Sequence, residues 1–211
     1  MKNLKETLYK NLLIKEKLII NKNIKINNNK YKYHPTEWSE LKELVKKLIE
    51  ERGNEADLND IDTSNITDMH DMFYGLEFNG DISKWDVSNV ENMKSMFFDS
   101  DFNDDISNWD VSNVENMSYM FNLSKFTGEN GNLLNWDVSK VKNMALMFSR
   151  SKFNGDISRW DVSNVKDMSW MFYNSNFNGD ISKWNVSSAT NIKYMFKDSP
   201  LEKNPPKWYK E

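Results

Sequence analysis

Apolar residues return along this chain in one fixed frame. Ile82, Trp85, Val87, Val90, Met93, Met96, Phe97 and Phe102 give I-x-x-W-x-V-x-x-V-x-x-M-x-x-M-F, followed by a further Phe. The frame begins again at Ile106, Leu133, Ile157 and Ile181, and a degenerate copy precedes them from Leu58, six copies in all. The second apolar position reads Ile61, Trp85, Trp109, Trp136, Trp160 and Trp184, a period of 24 residues with one interval of 27. The three extra residues fall in Thr127 to Asn132, where they are expected to bulge as a longer loop without shifting the next copy. Self-similarity at such a period signals a repeat array. No single copy can bury its own apolar face, so stacking supplies the core.

Within a copy the spacing is close to the leucine-rich repeat frame L-x-x-L-x-L. Trp85 and Val87 are then expected to point inward from a short strand. From Val90 the apolar spacing becomes three and four, which predicts one or two helical turns carrying Met93, Met96 and Phe97. Ser88 with Glu91, and Ser112 with Glu115, have the form of a capping box at the start of those turns. Phe78-Asn79-Gly80-Asp81 and its relatives at Phe153 and Phe177 form the return turns, with glycine expected to supply a left-handed backbone and Asp104 to take that role in one copy. The fold class that follows is an α/β repeat solenoid, a leucine-rich-repeat-like coil of six copies with short parallel strands and an α+β N-terminal cap.

Leu4 to Ile20 places Leu8, Leu12, Ile14, Leu18 and Ile19 among charged residues, which predicts a helix. Asn23-Ile24-Lys25-Ile26 and Tyr31-Lys32-Tyr33 alternate around an Asn run and predict a hairpin. Leu41, Leu44, Val45, Leu48 and Ile49 form the clearest helical stripe, capped by Thr36 and stopped by Gly53. That stripe is expected to shield the exposed end of the array. Pro200, Pro205 and Pro206 stop the regular pattern, and Leu201, Trp208 and Tyr209 are placed to cover its last copy. The organisation is therefore a cap over residues 1–57, repeats over 58–199 and a cap or tail over 200–211.

Composition removes several kinds of chemistry. There is no cysteine, so disulfides, thiolate metal sites and thiol catalysis drop out, and two histidines do not make a metal cluster. The net charge of −4 divides unevenly: residues 1–57 carry 13 basic and 9 acidic side chains, residues 58–211 carry 15 and 23. An acidic array disfavours direct nucleic-acid binding. Lys10, Lys15, Glu16 and Lys17 interrupt the N-terminal apolar residues, so no signal peptide or membrane span is expected and the chain reads as cytoplasmic.

One column of residues carries the candidate chemistry. Between the two inward strand positions stand Asp62, Asp86, Asp110, Asp137, Asp161 and Asn185. Stacked in register they would rise about 4.8 Å per copy. Two carboxylates at that distance repel by about 0.9 kcal/mol in water and about 3.5 kcal/mol at an effective dielectric of 20, so the column must be compensated. One compensation is structural: each Asp accepts backbone N–H bonds from the Ser and Asn that follow it. The other is functional: the column faces solvent on the concave side beside Lys84, Asn108, Asn135, Arg159 and Lys183 and docks a cationic protein. The tryptophans read as core, since Ile61 replaces one of them and isoleucine is no stacking surface. No nucleophile–base pair, phosphate loop, cofactor motif or metal constellation stands out, and acids that recur in every copy mark scaffold.

Phe153-Asn154-Gly155-Asp156-Ile157-Ser158 and Trp160-Asp161-Val162-Ser163-Asn164-Val165 resemble the BspA-like leucine-rich repeat family, a bacterial surface-protein repeat. The likeness covers about two thirds of the chain. It implies a right-handed solenoid, a binding role without enzymatic activity and, by analogy with family members, a cell-surface location. Position 61 (Ile) and positions 185 and 189 (Asn and Ala) depart from the pattern.

The expectation from sequence is thus a non-enzymatic protein-interaction module, without cofactor or metal, binding a basic protein partner through its Asp-lined face. The alternatives are adhesion to a glycan or host-surface ligand, and an acidic mimic that occupies a nucleic-acid-binding protein.

Overall fold

The computed structural model describes residues 31–210. The helix expected over Leu4 to Ile20 and most of the expected hairpin lie outside these residues. Helix α1, Trp38–Arg52, comes first, and six copies of the repeat follow it in stacked order.

The apolar frame is buried as the period demands. Ile82, Trp85, Val87, Val90, Met93, Met96, Phe97 and Phe102 are each at most 3% exposed, and their counterparts join them in one cluster that runs from Leu41 to Phe196. Two phenylalanine ladders form its spine. Phe73, Phe97, Phe121, Phe148, Phe172 and Phe196 stack with ring centroids 5.4–6.0 Å apart, and Phe78, Phe102, Phe126, Phe153 and Phe177 stack beside them. A third column ties each copy to the one before. The indole Nε1 of Trp85, Trp109, Trp136, Trp160 and Trp184 donates to the carbonyl of Leu58, Ile82, Ile106, Leu133 and Ile157 at 2.8–3.2 Å. These rings are 3–4% exposed, so these five tryptophans are packing residues and present no ring face to a sugar.

The α/β architecture expected from sequence does not occur. Among the described residues α1 is the one α-helix, no strand forms, and parallel pairing is confined to isolated bridges at Asp68, Asn92, Asn116, Asn143, Asp167 and Asn191 and between Tyr33 and Ile61. The backbone of each copy explains why. At each of the five junctions four alternate N–H groups, such as those of Met93, Ser95, Phe97 and Asp99, donate to carbonyls of the next copy, here Asn116, Ser118, Met120 and Asn122, at 2.7–3.0 Å. The intervening peptides close tight turns instead: Met96 N–H bonds Met93 O and Phe98 N–H bonds Ser95 O. Those turns need left-handed residues, and each copy has two, for example Ser95 (φ 54°) and Asp99 (φ 50°). Such backbone interrupts a continuous ladder, and N–H groups committed to the next copy cannot close an α-helix.

The spacing of three and four from Val90 onward is therefore the spacing of chained turns. The capping boxes are absent with it, since Glu91 N–H bonds Thr67 O and Ser88 N–H bonds the Asp86 side chain. The return-turn glycines are also used differently. Gly80, Gly155 and Gly179 do not have positive φ; a Cβ there would strike the ring of the Phe two residues earlier. Asp104 stands in the same turn without left-handed backbone. The three extra residues do bulge without shifting the frame: Asn116 pairs with Asn143, and Phe121 stacks on Phe148.

α1 buries Leu41, Leu44, Val45 and Leu48 in the common cluster and ends at Gly53, whose φ is 90° and whose N–H bonds Ile49 O. Its N-cap is Glu37, without a side-chain cap bond; Thr36 gives its N–H and hydroxyl to Glu40 Oε2 instead. Trp38 Nε1 donates to His70 O at 2.7 Å and Lys42 Nζ to Asp71 O at 2.7 Å, so α1 supplies donors to carbonyls of the first copy. At the other end Trp208 continues the indole column onto Ile181 O at 2.9 Å, and Glu202 Oε2 accepts the N–H of Asp198 at 3.0 Å. Leu201, Trp208 and Tyr209 pack on the last copy.

Candidate interaction face

The aspartates of the candidate column occupy one equivalent position per copy, at the first residue of an Asx turn. Oδ1 accepts the N–H of the serine two residues on: Ser64 to Asp62, Ser88 to Asp86, Ser112 to Asp110, Ser139 to Asp137 and Ser163 to Asp161, at 3.0–3.2 Å. Asn185 does the same for Ser187 at 3.1 Å. A carboxylate two residues before a serine amide mimics a backbone turn, which is the local reason Asp-x-Ser recurs. The structural compensation foreseen for this column is thus present in every copy. It does not bury the groups. Asp86, Asp110, Asp137 and Asp161 are exposed, and the bonds made by Asp86, Asp110 and Asp161 all reach Oδ1, leaving Oδ2 toward solvent.

Asp62 differs from the others. It is half-buried, and His34 Nδ1 lies 3.0 Å from its Oδ2, so α1's leading segment occupies the end of the column. Burial works to raise its pKa, but the Ser64 and His34 hydrogen bonds outweigh burial and the net direction is down. At Asp137 the Ser139 hydroxyl and N–H lower the pKa.

The flanking residues Lys84, Asn108, Asn135, Arg159 and Lys183 are exposed at equivalent positions of copies two to six. Arg159 and Lys183 meet in an open cleft of about 230 Å³ completed by Ser158 and Asp180.

Reading the sequence copy by copy missed two further columns of the same kind. Asp81, Asp105, Asn132, Asp156 and Asp180 accept the N–H two residues on, as do Asp68, Asn92, Asn116, Asn143, Asp167 and Asn191. The signal was an Asp or Asn at a fixed place in every copy, whatever followed it. Each copy thus turns three times on an Asx side chain.

These turns give the fold an acid limit. Folding lowers the pKa of Asp62, Asp81, Asp137, Asp156 and Asp180, so their charged forms stabilise the folded state. That contribution is complete above the ordinary Asp value and is lost as pH falls through the lower folded-state values. We expect the urea midpoint to hold from pH 7 to about pH 5 and to fall below about pH 4. Asp137→Asn should keep the turn, as Asn185 does, and shallow the acid limb; an unchanged limb would show that Asp137 does not contribute to it.

Among the described residues no three acidic or histidine side chains converge to hold a metal ion, and no helix is long and apolar enough to cross a membrane. The profile of a protein family described as "Mycoplasma protein of unknown function, DUF285" matches residues 39–130 and 124–208. No curated protein and no solved structure matches the chain.

Proposed function

The chain belongs to the DUF285 family of Mycoplasma proteins of unknown function, and from that premise we propose that it is a non-enzymatic module that binds a basic partner protein through the face bearing Asp86, Asp110, Asp137 and Asp161. The observation that carries this reading is a regular row of exposed carboxylates, each fixed by its own turn. Fixing the side chains in the free protein removes part of the ordering cost that flexible acids would meet on binding. A row of one sign also steers an oppositely charged partner at moderate salt. The motif's likeness to the BspA-like surface repeat favours a binding role as well. The glycan alternative has no stacking platform in the tryptophan column, which is buried.

The test compares wild type with Asp86→Lys/Asp110→Lys, once circular dichroism shows both folded, in pull-downs from the native cell and from candidate host extracts. We expect a partner retained by wild type at about 50 mM salt, released at about 500 mM and not captured by the variant. Equal capture by the two proteins would remove the column from the binding face.

A further inference from the structure

A different row of side chains lies five residues beyond the Asp column. Thr67, Glu91, Glu115, Lys142, Lys166 and Thr190 occupy one equivalent position in the six copies, and all are exposed. Their backbones are linked directly: each N–H from Glu91 to Thr190 donates to the carbonyl of the row member one copy earlier, at 2.8–2.9 Å. The side chains are therefore held in line. Along the stack they read Thr, Glu, Glu, Lys, Lys, Thr.

Two properties of that order matter. Alternating acids and bases would have paired every charge within the chain, whereas the observed blocks set like charges on adjacent copies, which is unfavourable. Only the central pair is satisfied, Lys142 Nζ to Glu115 Oε1 at 2.7 Å; Glu91 and Lys166 make no ion pair among the described residues. Moreover, the row is its own complement. Turned end for end, Glu91 meets Lys166, Glu115 meets Lys142, and Thr67 meets Thr190.

The rest of the stack shares this polarity. Residues 58–126 hold 14 acidic and 3 basic side chains, and residues 127–211 hold 9 and 12. The change of sign falls where Lys125 pairs with Asp101 at 2.6 Å and Lys142 with Glu115.

We propose that two copies of this chain associate side by side and antiparallel through this row, about a twofold axis at the Glu115–Lys142 junction. Glu91 of each then faces Lys166 of the other, and the two Glu115–Lys142 pairs close into a ring of alternating charge. A twofold contact uses the same patch on both partners, and this patch is self-complementary under that operation. The Asp column cannot do this, since it holds five acids, one Asn and no base. The row is thus independent of the face proposed above, and Asp86→Lys/Asp110→Lys leaves it intact.

Sedimentation velocity with charge-swapped variants tests the proposal. Wild type should dimerise at about 20 mM salt and dissociate at about 500 mM. Glu91→Lys/Glu115→Lys makes the row wholly basic and Lys142→Glu/Lys166→Glu makes it wholly acidic; each alone should associate at least about tenfold more weakly than wild type. Mixed, they should form a heterodimer, which no loss of folding in either variant could imitate. The fourfold variant, with both blocks exchanged, should again pair with itself. A monomeric wild type at low salt, a dimer that survives either block reversal, or a mixture that stays monomeric would each overturn the proposal.

Discussion

Phe121→Ala should lower the stability of the folded chain by about 3–5 kcal/mol, the usual cost of emptying a buried phenylalanine site. Phe121 is fully buried in the middle of the stack, with ring contacts to Phe97 on one side, Phe148 on the other and Phe126 across the ladder. The rings on either side are locked by their own stacking, so the cavity cannot collapse cheaply. In an array each copy touches only its neighbours, which makes a central defect a break in the coupling between the two halves. Urea denaturation followed by near-ultraviolet circular dichroism should therefore show a lower first midpoint and two separable transitions. Tyr74→Ala, at a side chain 51% exposed, serves as the comparison. Equal losses from the two substitutions would refute the phenylalanine spine.

Gly80→Ala has the second large expected effect, about 2–4 kcal/mol from overpacking and a displaced hydrogen bond. A methyl group at this position would overlap the carbonyl oxygen of Ala56 and lie against the Phe78 ring. The same carbonyl accepts the N–H of Asp81, and Asn79 N–H reaches Asn54 O nearby, so the segment after α1 is sewn to the first return turn at this point. Gly179→Ala is the control, because the atoms nearest a methyl there belong to the Phe177 ring and not to backbone. Hydrogen exchange should show α1 losing protection in the Gly80 variant and keeping it in the Gly179 variant. Protected α1 amides in both would refute the close approach at Ala56.

The contrast between these glycines shows what the sequence can convey. The period, the copy boundaries, the buried identity of the frame residues in the first five copies and the harmless bulge at Thr127 to Asn132 all follow from apolar spacing, because packing depends on which side chains recur. The path of the backbone between them does not. Ser95, Tyr119, Leu146, Trp170 and Tyr194 share one left-handed position, yet they have nothing in common that marks it. In the first four the N–H bonds a carbonyl of the next copy, a relation that no window within one copy contains. Three- and four-residue apolar spacing then reads as helix when the chain is turning. For the candidate face, Asp followed two residues later by Ser was a sufficient signal for the turn. The Glu–Lys row was visible only down the copies, as a column, and reading along the chain hid it.

The hydrogen bonds at the junctions also give the molecule an electrical direction. In the inner copies four peptide groups lie with the carbonyl toward the preceding copy and the N–H toward the following one. They outnumber the N–H groups that point back, such as that of Glu91 on Thr67 O, so their dipoles, about 3.5 D each, leave a net sum along the stack. Its first copy ends in carbonyl oxygens and its last in amide hydrogens. The groups found there have the matching sign: the Trp38 indole N–H on His70 O at one end, the Glu202 carboxylate on Asp198 N–H at the other. The ends are thus not interchangeable. A helix usually places acids near its amide end to offset its dipole, whereas here the acidic copies sit at the carbonyl end and the basic ones at the amide end, so side chains and backbone reinforce one another and the whole stack is polarised.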